Sequence, residues 1–181
     1  VGVTPIARAT TWVDGRSRWQ RWLLLYLVFT VVAAPFLVLR FMDNTRLGLW
    51  DEWQYVDTIH SVSHGDLFLR GGEPLSGWAW QLKACRGIEV VAPPDPVVCR
   101  SEQPAAYVNS ASIDPPSYFL VTAVGARAIT AVGLTDDLLL ASRLVGIAWA
   151  GLAMTVLFAL ARMLGSSRAA ATLAAGTVIT V

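Results

Sequence analysis

Uncharged apolar runs stand at both ends of the chain, with a long polar stretch between them. Residues 22–39, WLLLYLVFTVVAAPFLVL, carry no charge. A bilayer core about 30 Å thick needs roughly 20 such helical residues. Similar runs follow at 115–134, where Arg127 interrupts, and at 138–164, where Arg143 and Arg162 bracket an uncharged centre. A last run starts at Ala169 and continues to Val181. The pattern predicts an all-α membrane protein, a polytopic helical bundle with spans at 22–39, 115–134 and 138–164 and the start of a fourth at 169–181. The first run reads as an anchor, because Arg40 and Phe41 follow it where a signal peptide would carry small residues for cleavage. Pro115-Pro116 suits the start of a helix. Gly146 and Ala150, four apart on the third span, predict a close helix approach. With no methionine at Val1 and an apolar run at Val181, the chain reads as the amino-terminal part of a longer membrane protein.

Between the first two runs lies a first loop, residues 40–114. After Trp50 it reads Asp51-Glu52-Trp53-Gln54-Tyr55-Val56-Asp57. Trp53, Val56, Ile59 and Ser63 recur at helical spacing, with Gln54, Asp57, Ser61 and His64 on other faces. This predicts an amphipathic helix starting at Asp51, lying on the outer membrane surface and ended by Gly65. Asp51 then has an ordinary role as a cap that accepts backbone N–H bonds, and Glu52 an ordinary role in the helix dipole. The functional reading is a carboxylate just outside the membrane that removes a proton from a hydroxyl. His60 and His64 are four apart, but without the glutamate of a metalloprotease motif they read as polar surface positions, and no metal ligand is assigned. Arg127 reads as snorkelling from the second span. Cys85 and Cys99 fit no zinc spacing. A disulfide across the Pro93-Pro94-Asp95-Pro96 stretch is favoured over two thiols.

Composition narrows the class. The chain is 55% hydrophobic and 15% charged, with a mean hydropathy of +0.52, against roughly 25% charged in soluble domains. A net charge of +1 and a single lysine, Lys83, argue against a nucleic-acid partner. Arg8, Arg16, Arg18 and Arg21 precede the first span against one acid, Asp14. The positive-inside rule therefore makes residues 1–21 a cytoplasmic basic segment. The loop at 40–114 is then extracytoplasmic, in a multi-pass protein of the inner or plasma membrane. In that arrangement Arg127 and Arg143 fall inside, Arg162 and Arg168 outside. Abundant Ala, Val and Arg beside one lysine fit a GC-rich bacterial source.

WDEWQYVDTIHSVSHGDLF after the first span, then IDPPSYFL opening the second, resembles the GT-C superfamily of membrane glycosyltransferases. The similarity is to the branch with protein O-mannosyltransferases and lipid A aminoarabinose transferases. It extends to Ala141-Ser142-Arg143-Leu144 and to Ala161-Arg162-Met163-Leu164-Gly165, covering about Leu23 to Val181. The resemblance implies transfer of a sugar from a polyprenyl-phosphate donor to an acceptor hydroxyl at the external membrane face. Partners would be the lipid-linked donor, membrane lipids and a glycan, lipid or protein acceptor. Asp51 would be the general base or would orient the acceptor, and Glu52 would support it or help hold a divalent metal. Tyr55, Arg70, Asp114 and Tyr118 would contact substrate. Lys83, Arg86 and Arg100 join Arg70 as candidates for meeting the donor phosphate. Relatives commonly carry Lys or His where Asp114 stands, so the phosphate contact departs from the family here. The rival reading is a non-catalytic membrane protein, an assembly partner or transporter subunit that docks through the loop.

Overall fold

Six α-helices make up most of the computed structural model, which describes residues 17–48, 51–66, 73–89, 92–100, 108–111 and 114–179. They are α1 (Arg18–Asp43), α2 (Glu52–Ser63), α3 (Gly77–Arg86), α4 (Pro116–Ala131), α5 (Leu138–Met163) and α6 (Arg168–Gly176). Short 3-10 turns follow at Val98–Arg100 and Thr177–Ile179. Among the described residues there is no strand, only isolated bridges such as Leu47 with Ile88. The all-α expectation holds. The chain divides into two units, residues 1–37 with 147–181, and residues 38–146.

The first unit holds most of α1, the later part of α5, and α6. α1 and α5 are each 26 residues long, with mean hydropathies of 2.5 and 2.2 in their most apolar windows. At 1.5 Å per residue each is about 39 Å long, more than a bilayer core. Among the described residues these two helices are the ones long and apolar enough to cross a membrane. Phe29 and Ala33 of α1 pack with Met154 of α5 and Ala175 of α6, and the Phe29 and Phe158 rings meet edge to face at 5.9 Å. The close approach occurs at Gly151, where a Cβ would lie 2.0 Å from Thr30 Oγ1. Gly146, the expected contact, has open space around it. Five residues turn a helix by about 140° beyond one full revolution, so the two glycines face different ways. Opposite the packed seam, Val31, Leu152 and Val156 are exposed.

The second unit is built on α2. Its helical spacing is as the apolar positions predict, but Trp53, Val56 and Ile59 are buried at 5%, 2% and 2% exposure. That face cannot rest on a membrane surface, because it is covered by protein. Trp53 and Val56 join Leu47, Leu75, Ala79, Ile88 and Leu139 in one core, while Ile59 joins Ala111, Phe119 and Ala123 in another. Asp57, expected on a polar face, is also buried. Its carboxylate accepts bonds from the Ser76 hydroxyl and from Asn109 Nδ2, the latter at 3.0 Å. Ser76 in turn caps α3 by accepting from the Ala79 N–H. A disulfide joins Cys85 to Cys99 with Cα atoms 4.6 Å apart, as expected. It fastens the end of α3 to the 3-10 turn.

The expected second span, 115–134, forms the 16-residue α4, about 24 Å long. Phe119, Thr122, Ala123 and Ala126 are buried, with Phe119 and Ala123 packed on Ile59 of α2. Arg127 donates to the Ser63 carbonyl at 2.5 Å, so its guanidinium serves the end of α2. A helix with small residues on one side and apolar residues on the other can close a protein core as well as enter lipid.

Candidate functional site

α2 and α4 run side by side in the same direction, since Tyr55 meets Tyr118 and Phe119 at one end and Ser63 meets Arg127 at the other. Their N-termini therefore share one end of the unit. Five of the sequence-predicted site residues, Asp51, Glu52, Tyr55, Asp114 and Tyr118, lie at or near those N-termini. Two helix N-termini carry partial positive charge, which suits carboxylates.

Asp51 and Glu52 are adjacent but differently employed. Asp51 is the N-cap residue of α2, is exposed, and makes no side-chain cap bond. Its carboxylate meets Gln54 Nε2 at a long 3.5 Å. Capping does not account for this carboxylate. Glu52 is committed: Arg143 Nε donates to Oε1 at 2.7 Å and Nη2 to Oε2 at 2.8 Å. The Gly48 N–H also donates to Glu52 Oε2. Arg143 donates further to the carbonyls of Asn44 at 2.6 Å and Arg46 at 2.5 Å. One guanidinium thus ties the segment after α1, the start of α2 and the first turns of α5. Two parallel N–H···O bonds fix its plane.

Next to this pair, the Tyr55 hydroxyl donates to Asp114 Oδ2 at 2.7 Å. That bond, then burial and the charges of Asp114 and Asp51, push the phenol up to about 12. Tyr55 therefore stays protonated at neutral pH and remains a donor. Its ring centroid lies 6.2 Å from Tyr118 and 5.6 Å from Phe119. Asp114 is partnered by the Tyr55 hydroxyl, which explains how an acid is accommodated there.

Two of the four cations expected to meet a donor phosphate, Arg86 and Lys83, are engaged elsewhere. Arg86 pairs with Asp137 at 2.6 Å and donates to the Thr45 carbonyl at 3.2 Å. Lys83 lies 4.0 Å above the Trp53 ring and 4.8 Å above Trp80, a cation–π arrangement, and burial lowers its pKa. Arg70 and the Arg100 side chain lie outside the described residues, as do Arg8 and Arg16 of the basic segment. His60 is not a plain surface residue: its ring stacks on Trp78 at 4.4 Å and 12°. His64 Nδ1 meets the His60 carbonyl at 2.8 Å.

The donor set does not fit a divalent ion beside Asp51. Both Glu52 oxygens are taken, and the described residues contain no group of three or more His, Cys, Asp or Glu placed to hold one. Sequence reasoning missed the Glu52–Arg143 clamp because the partners are 91 residues apart. It missed the Asp57–Ser76–Asn109 network because an acid at helical spacing reads outward by default. A comparison with known proteins finds no matching family model, curated protein or solved structure.

Proposed function

We propose that this chain is part of an integral membrane glycosyltransferase, in which a sugar passes from a polyprenyl-phosphate carrier to an acceptor hydroxyl at the external membrane face. Asp51 takes the acceptor's proton, the acceptor oxygen bonds to the sugar's anomeric carbon, and the carrier phosphate leaves with the bonding pair. A phosphate is a good leaving group, so a positioned base and an oriented acceptor supply much of the rate. Glu52 is a positioning residue: held by Arg143, it fixes the backbone on which Asp51 stands. The Tyr55 hydroxyl, its proton given to Asp114, keeps lone pairs that can accept a hydrogen bond from the acceptor substrate. The observation that carries the reading is Asp51 itself, an exposed carboxylate at a helix start that does no capping.

The proposal includes a membrane topology. With α1 and α5 as the two crossings and α4 in the second unit, residues 44–137 lie outside. The Cys85–Cys99 disulfide then stands in an oxidising compartment. Arg162 and Arg168, at the far end of α5, fall on the cytoplasmic side with Arg18 and Arg21, so both cytoplasmic ends obey the positive-inside rule.

The test is genetic. A strain lacking the full-length protein is complemented with wild type or Asp51→Asn, and envelope glycans are compared by mass spectrometry. Restoration by wild type and not by an Asp51→Asn protein that reaches the membrane supports the reading. Equal restoration by both contradicts it. Loss of a protein complex on altering the loop surface, with transfer unaffected by Asp51, would favour the docking rival.

A further inference from the structure

At the other end of α2 from the acidic pair, about 18 Å away along the helix, the second unit has a surface cleft of about 380 Å³. This is near the small end of the range for small-molecule sites. His60 and His64 of α2, Trp78 of α3, Arg127 and Thr130 of α4, and Asp136 and Asp137 of the following loop line it. No role in the transfer reading falls to this cleft.

Its charges nearly cancel. Asp137 is neutralised by Arg86 at 2.6 Å, which leaves Asp136 on one side and Arg127 on the other. An anion gains from Arg127 what it loses to Asp136, and a cation the reverse. Neither sign is selected. The hydrogen-bonding groups are mixed. Arg127 has guanidinium N–H groups beyond the one given to the Ser63 carbonyl. The Thr130 hydroxyl, whose proton goes to the Arg127 carbonyl, has lone pairs that accept. Asp136 adds carboxylate acceptors, while the Asp137 oxygens already receive Arg86 and the Leu139 N–H. Beside them stands an aromatic side chain, Trp78, braced by the His60 ring stacked on it. The stack fixes the indole plane, so it is available without loss of rotamer freedom on binding.

Such a lining suits a neutral molecule with many hydroxyls and apolar C–H faces. We propose that this cleft binds an uncharged sugar unit. The hydroxyls exchange hydrogen bonds with Asp136, Arg127 and Thr130, and the C–H face packs on Trp78. The site is separate from the acidic end, and the proposal does not rest on transfer at Asp51.

The experiment uses the intact chain in lipid nanodiscs and measures saturation-transfer NMR with three kinds of probe. These are uncharged methyl hexopyranosides and disaccharides, their uronate and amino-sugar counterparts, and a polar tripeptide. The expected result is binding of uncharged sugars in the millimolar range, weakened about tenfold, or 1.4 kcal/mol, by Asp136→Asn or Arg127→Gln. Asp136 is exposed, so Asp136→Asn keeps the fold and decides the matter; Arg127→Gln also gives up the bond to the Ser63 carbonyl, so its melting temperature is measured beside its binding. Asp51→Asn is expected to leave this binding unchanged. The proposal is overturned if no uncharged sugar binds, if the charged sugars or the tripeptide bind more tightly, or if binding falls with Asp51→Asn and not with the cleft variants.

Discussion

The two units handle apolar surface in opposite ways. In the first, a small seam of Phe29, Ala33, Met154 and Ala175 is buried, while large side chains such as Val31 and Phe36 point outward at 70% and 59% exposure. In the second, a core of Leu47, Trp53, Val56 and Leu139 is buried and polar groups inside are matched by partners, Asp57 by Ser76 and Asn109, Glu52 by Arg143, while Leu120, Val121 and Val124 of α4 stay exposed. Water rewards the second arrangement and penalises the first. The same chain therefore contains a part suited to lipid and a part suited to an aqueous face, and the candidate chemistry lies in the latter.

Four changes press on that contrast. The largest effect is expected at Val31→Arg, at the middle of α1. If the first unit is in lipid, the charge costs about 3 kcal/mol of insertion, and a membrane-integration assay shows fewer inserted chains. If that face is in water, the same exposed substitution stays within about 0.5 kcal/mol. In the second unit, replacing Cys85 and Cys99 with serine removes a closure of about 15 residues, lowering stability by up to about 3 kcal/mol. Thermal unfolding in nanodiscs measures it, and reductant should reproduce it in the wild type.

Arg143→Met is expected to cost about 2 kcal/mol. It leaves Glu52 uncompensated, but the carboxylate side keeps 25% of its surface in water, which trims the penalty of a fully buried broken pair. Adding Glu52→Gln should recover part of the loss, a coupling that a double-mutant cycle reads directly. The smallest effect concerns pH. Burial, then the charge of His64, lowers the His60 pKa below its usual 6.5, with Asp57 acting in the opposite sense. The fold thus prefers neutral His60. Its contribution is full above pH 6.5 and is lost as pH falls through the lowered folded value. His60→Gln should show a shallower loss of thermal stability between pH 7 and pH 5 than the wild type.

Much of this architecture is legible from residue order because it is local. The spacing of Trp53, Val56, Ile59 and Ser63, with Asp51 before and Gly65 after, sets α2 almost to the residue. Cys85 and Cys99 pair across a proline-rich turn as their position implies. α1 and α5 announce themselves through length and lack of charge. What was hidden depends on partners far along the chain. That α4 packs one face on Ile59 and Ala111 is such a case. Arg127 resembles a snorkelling residue until the Ser63 carbonyl is seen receiving it. For the site, proximity of Asp51, Glu52 and Tyr55 follows from one helical turn. The arrival of Asp114 and Tyr118 beside them required the parallel course of α2 and α4. The difference between Asp51 and Glu52 was invisible, since only Arg143 distinguishes two neighbouring acids.

That difference is where the account is most exposed. The measurement is single-turnover transfer by the purified full-length protein in proteoliposomes, with a polyprenyl-phosphate-sugar donor, for wild type and Asp51→Asn. A slowing of about 10²- to 10⁴-fold, with an unchanged melting temperature and donor still bound, is the predicted result. Transfer within twofold of wild type would contradict the assignment of Asp51 as the base.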